Sequence, residues 1–117
     1  MLAQDLAAFR TALRQQNGLV PADDRRQEPR YVPIGHLARA RVGIGPAAPP
    51  VDADVVDLSL SGLRLAVPPD VQPELGMFCT IQLTPDGNRI LNLQGEIRWV
   101  ERHALITVFG VQLGSAV

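Results

Sequence analysis

Two short runs of this 117-residue chain carry side chains whose types and spacing suit binding chemistry. The first is Arg25-Arg26-Gln27-Glu28-Pro29-Arg30. Three guanidiniums crowded into six residues repel one another, and an anion relieves that repulsion. Each guanidinium is a planar fork that matches phosphate oxygens, or guanine O6 and N7 together, the latter worth roughly 1–3 kcal/mol of discrimination. The second run is Asp57-Leu58-Ser59-Leu60-Ser61-Gly62. On a strand, Asp57 and Ser59 leave the same face about 6–7 Å apart. An aspartate accepts from the N1 and N2 donors of a guanine, and a serine hydroxyl bonds either a base or a phosphate. Gly62 permits close backbone approach or a positive φ. The same residues also suit a local turn that closes a hairpin, so both readings stand at this point.

Other chemistries find little support. His36 and His103 are far apart and not at metal-ligand spacing. Cys79 lies mid-strand beside Phe78 and Ile81 and reads as a buried, inert thiol. Ser115 sits in a tail, and no glycine-rich phosphate loop precedes a helix. The acids Asp23, Asp24, Asp52 and Asp54 read as solvated charge. No catalytic residue, metal or cofactor is expected.

The elements that must position the two runs follow from patterning. Leu2, Leu6, Phe9 and Leu13 make one face of a helix over residues 1–17, stopped by Asn17-Gly18. That stripe needs a partner surface: its own domain, a second copy or another protein. Residues 19–36 form an arm, kept extended or turned by Pro29 and Pro33. From residue 37 to 117 the period changes to two, with strands expected over 37–44, 51–60, 63–67, 77–83, 89–102 and 105–113. Val56, Leu58 and Leu60 share one face of the second strand, and Asp57, Ser59 and Ser61 the other. In the fifth strand Trp99 is in phase with Leu93 and Ile97, which favours the core over stacking on a ligand base. A change of face near Val108-Phe109 predicts a bulge or a bend there. Six strands without intervening helices predict an all-β fold, a small six-stranded antiparallel barrel.

Composition sets outer limits. Lys plus Arg total 11, all of them Arg, against 12 Asp plus Glu, for a formal net charge of −1. A general binder of nucleic acid carries a basic excess, so a polymer partner is not expected. One cysteine makes an internal disulfide impossible, the first residues lack the pattern of a secretion signal, and no apolar run is long enough for a membrane span. These features predict a cytoplasmic protein.

Arg26-x-x-x-Arg30, followed by a strand and then Asp57-x-Ser59-x-x-Gly62, resembles the PilZ domain family. Gly62-Leu63-Arg64-Leu65, Gly95-Glu96-Ile97-Arg98-Trp99 and Phe109-Gly110-Val111-Gln112-Leu113 are similar to later strands of that family, so the likeness covers roughly residues 24–114. It implies a bacterial receptor for the second messenger cyclic di-GMP, without enzymatic activity. Arg26 and Arg30 would clamp phosphates and guanine edges, Asp57 and Ser59 would hold a guanine, and Gly62 would allow its close approach. Arg25 matches an extra arginine associated with a stacked ligand dimer, and Trp99 is a secondary ligand-binding candidate. The resemblance further implies a protein partner addressed by ordering of the arm, in control of motility or biofilm, with a homodimer compatible. The alternative is a nucleotide-independent interaction module of the same fold. The second glycine common after Gly62 is Leu63 here, and the helix common after the barrel has no counterpart before Val117. The N-terminal helix is expected to take over its packing role.

Overall fold

A computed structural model describes residues 3–15, 19–21, 30–33, 35–46, 49–84 and 88–114. In chain order the elements are α1 (Ala3–Gln15), β1 (Leu19–Pro21), β2 (Tyr31–Pro33), a 3-10 turn (Gly35–Ala38), β3 (Arg39–Ile44), β4 (Val51–Leu58), β5 (Gly62–Val67), β6 (Phe78–Leu83), β7 (Leu91–Arg102) and β8 (Thr107–Leu113). Strands β3 to β8 close into a six-stranded antiparallel barrel in the order β4-β3-β6-β7-β8-β5, with β5 returning to β4. Closure leaves no barrel edge unpaired.

Alternation fills the interior. Ala40, Val42 and Ile44 from β3, Leu63, Leu65 and Val67 from β5, Cys79, Ile81 and Leu83 from β6, and Leu91, Leu93 and Ile97 from β7 share one core. From β8, Phe109, Val111 and Leu113 join them. The 3-10 turn adds Leu37, which the sequence placed at the start of a strand; the strand begins two residues later, at Arg39.

Helix α1 covers one end of this barrel. Phe9 and Leu13 are each 1% exposed and Leu6 packs beside them, so the apolar stripe is spent on the chain's own core. Leu2 lies outside the described residues. Two polar ties fix the helix. The Asp5 carboxylate accepts from the Asn92 amide at 3.0 Å, at the start of β7. Arg10 Nε donates to the Leu60 carbonyl at 2.9 Å, between β4 and β5.

The arm contains two strands that its proline content conceals. β1 and β2 pair antiparallel, Leu19 with Pro33 and Pro21 with Tyr31. Prolines suit such a ribbon because each needs only one side free of a donor. β2 then joins the barrel through a single pairing, Tyr31 with Leu58.

Two register breaks govern what faces outward. In β4 the ladder with β5 shifts between Val55 and Asp57. Val56 is the extra residue and is exposed, Asp57 turns to the outer side, and Leu58 enters the core at 0% exposure. The expected grouping of Val56 with Leu58 therefore fails, because a bulge advances the phase by one residue. In β7 the ladder with β8 shifts between Ile97 and Trp99. Ile97 is buried, while Trp99 is moved to the outer side opposite Gly110 and Val100 packs inward. Trp99 is thus not a core residue. The bulge expected near Val108-Phe109 lies instead on the neighbouring strand, and β8 alternates unbroken from Thr107 to Leu113.

Candidate functional site

The two bulges bring one row of residues onto the outer face of four adjacent strands. Asp57 of β4 pairs with Arg64 of β5, Arg64 with Gly110 of β8, and Gly110 with Trp99 of β7. Gly110 contributes no side chain, and the Trp99 indole lies over it. Beside the indole is a notch of about 160 Å³, lined among others by Arg30, Ser59, Gly62, Arg64, Arg98, Trp99 and Gln112. Its volume is close to the ~150 Å³ of a cavity that holds one benzene, the size of a single ring.

Asp57 is the electrostatic centre of this face. Its side chain is 3% exposed and held by two arginines. Arg30 Nη1 donates to Oδ1 at 3.0 Å across 27 residues of sequence. Arg64 donates to Oδ2 from Nε at 2.6 Å and also from Nη2. A carboxylate removed from water to this degree requires such charged donors. Arg30 reaches it because the next residue, Tyr31, is paired with Leu58, the neighbour of Asp57.

Ser59 and Gly62 form the turn between β4 and β5. The Ser59 amide donates to the Gly62 carbonyl at 2.8 Å, and the Ser59 hydroxyl both donates to that carbonyl and accepts from the Gly62 amide, each at 3.2 Å. The hairpin-closing reading of these residues is therefore present in the fold. A hydroxyl offers one donor and two acceptor sites, so this turn leaves one acceptor for another group. Gly62 meets the need for close approach: a Cβ there would run into the backbone carbonyl of Val111 on β8. It does not take the positive φ that its type also allows.

The expected site residues divide accordingly. Arg30, Ser59, Gly62 and Trp99 line the notch, Asp57 is bonded to its lining residues Arg30 and Arg64, and Arg25 and Arg26 lie outside the described residues. Two lining arginines were not singled out as site residues in the sequence. Arg64 was legible only as part of a strand, although it alternates with the buried Leu63 and Leu65 and so had to face outward. Arg98, exposed and bonded to Glu96 at 3.0 Å, stands at the β7 bulge, whose position no local pattern announced.

Elsewhere, Cys79 is buried, and burial pushes its thiol up to about 12. Among the described residues no cluster of His, Cys, Asp and Glu is placed to hold a metal ion, and no helix is long and apolar enough to cross a membrane.

A closed six-stranded barrel thus carries a polar, arginine-lined notch on its outer wall, with a two-stranded ribbon paired beside it. The PilZ domain model matches residues 24–116, and the chain belongs to the PilZ domain family. That family comprises cyclic di-GMP-binding domains, which are binding modules rather than enzymes. No curated protein matches the chain.

Proposed function

We propose that this chain is a cyclic di-GMP receptor that binds the dinucleotide on the outer wall of the barrel, with the arm folded over it. The observation that carries the reading is the meeting of Arg30 with Asp57, one residue from each sequence run, at the rim of a ring-sized notch. Asp57 and the spare acceptor of Ser59 take a guanine, Trp99 offers its indole as a stacking wall, and Arg26 and Arg30 take phosphate oxygens or guanine edges. Arg25 adds a fork for a second, stacked ligand molecule. Binding orders the arm and creates a surface for a protein partner in the bacterial cytoplasm. The cost of that ordering lowers affinity and makes the event a switch.

Calorimetric titration with cyclic di-GMP, using GTP and cyclic GMP as controls, tests this. The expected result is micromolar or tighter binding of the dinucleotide alone, lost in Arg26→Ala and Asp57→Ala. Absence of binding at high concentration, or variants as tight as the parent, would refute the mechanism in favour of a nucleotide-independent interaction module. The stoichiometry tests the role of Arg25.

A further inference from the structure

We propose that Arg64 is the positioning residue for guanine recognition: it grips Asp57 through Oδ2 whether or not ligand is bound, while Arg30 alone exchanges between the carboxylate and the ligand. The inference rests on the receptor reading above and concerns how its central carboxylate is presented.

The two arginines hold Asp57 differently. Arg64 directs two donors, Nε and Nη2, at one oxygen, whereas Arg30 directs one donor at the other. Arg64 grows from the body of β5, directly opposite Asp57, on a backbone laddered to β4 on one side and β8 on the other. Its chain neighbours Leu63 and Leu65 are anchored in the core. Arg30 precedes a three-residue strand that meets the barrel at one pairing. With both in place the Asp57 side chain is 3% exposed, too little for a base edge to reach it. A guanine can therefore approach only after one guanidinium moves aside. Arg30, carried on a ribbon that meets the barrel at one pairing, is the one that moves, and its release frees a cation for the ligand phosphate at the moment Oδ1 becomes accessible.

Arg64 remains, and its fork fixes the plane of the carboxylate. That plane matters because it aims the lone pairs of Oδ1, and the N1–H and N2–H that guanine presents side by side can converge on that one oxygen only when it lies in the plane of the base. Arg64 thus governs discrimination for the 2-amino group of guanine through the carboxylate that it holds. A lysine, a point charge without a fork, keeps the attraction and loses the alignment.

The test titrates the full chain, Arg64→Gln, Arg64→Lys, Asp57→Asn and the Arg64→Gln/Asp57→Asn double variant. Each meets cyclic di-GMP and the analogue in which hypoxanthine, lacking the 2-amino group, replaces guanine. Thermal melts report folding. The parent is expected to prefer the guanine ligand. Arg64→Gln should weaken that ligand by about tenfold or more and the hypoxanthine ligand far less, collapsing the preference. Arg64→Lys should also lose the preference, and it carries the test if Arg64→Gln does not fold. In the Asp57→Asn background the Arg64→Gln cost should vanish. Equal losses for both ligands, a cost that persists without the Asp57 carboxylate, unaltered affinity, or a lysine that restores discrimination each overturn the proposal while the receptor reading stands. A parent that binds neither ligand overturns the receptor reading, and this inference with it.

Discussion

Trp99 lies over Gly110: a Cβ at position 110 would stand 2.8 Å from Cε2 and 2.9 Å from Cδ1 of the indole. The β7 bulge aims the ring outward, and the missing side chain on β8 gives it a bed beside the notch. Gly110→Ala is therefore expected to displace the ring without touching the core. Trp99 is the only tryptophan of the chain, so its fluorescence reads this directly. The variant should show a shifted emission maximum and several-fold weaker cyclic di-GMP binding, and ligand should change the parent's emission. Unchanged emission and affinity in the variant would remove Trp99 from the site.

Gly62→Ala tests strand approach rather than ligand contact. The added methyl would meet the Val111 carbonyl, which belongs to the backbone and moves only if β5 and β8 separate. Overpacking of this kind costs about 1–3 kcal/mol. For a domain of this size that corresponds to a fall in melting temperature of about 4 °C per kcal/mol. A melting temperature equal to the parent's would show that the strands accommodate the methyl.

Removal of the Asp57 carboxylate leaves the Arg30 and Arg64 guanidiniums facing one another. Asp57→Ala should cost stability on the order of 1–3 kcal/mol, and added salt should recover part of it by screening that repulsion. Arg30→Ala should melt close to the parent, because Arg64 still neutralises the carboxylate, yet lose cyclic di-GMP affinity by at least about tenfold. Melting curves at low and high salt, beside titrations, separate these two outcomes.

The helix is part of the barrel's core and not a loose appendage. Phe9→Ala is expected to cost about 3–5 kcal/mol and Leu13→Ala about 2–5 kcal/mol, measured by denaturant unfolding. Costs under 1 kcal/mol would mean that the barrel closes that end without the helix.

Cys79 makes stability fall at high pH. Its thiol is raised from 9.0 to about 12 by burial, so the fold favours the protonated form. Below about 9 both folded and unfolded chains hold the proton and the full contribution is present; between 9.0 and about 12 only the folded chain does. Stability should then decline by about 1.4 kcal/mol per pH unit across that window. Cys79→Ala should flatten this decline, a comparison that cancels every other group titrating there. The same burial predicts negligible reaction with thiol reagents in the native state at neutral pH.

Much of this was legible in the chain. Strict alternation in Leu91-Leu93-Gly95-Ile97 and in Phe109-Val111-Leu113 marked barrel strands because the pleat sends every second residue to one side. The helix stripe was equally plain, and Phe9 and Leu13 are buried as that stripe requires. The arm was harder. Leu19–Pro21 and Tyr31–Pro33 are three residues each, too short for a periodic signal, and their pairing spans a separation that no local rule addresses. Phase failed at Val56 and at Trp99 for one shared reason: a bulge shifts every later residue by one place, and nothing in the neighbouring residue types locates it.

The sequence by itself determined the inventory: an all-β barrel from residue 37 onward, a helix whose stripe must be covered, the two polar runs, and membership of the PilZ domain family. The barrel, the helix and the polar runs follow from periodicity and residue chemistry, which are local, and the family from the match over residues 24–116. Tertiary structure alone decided that Asp57 is held from two sides, that Arg64 is one of its holders, and that Trp99 and Gly110 extend the same row outward. These relations depend on strand order and on two one-residue register shifts. Both are set by how the whole barrel closes around its core, and no stretch of the chain encodes them alone.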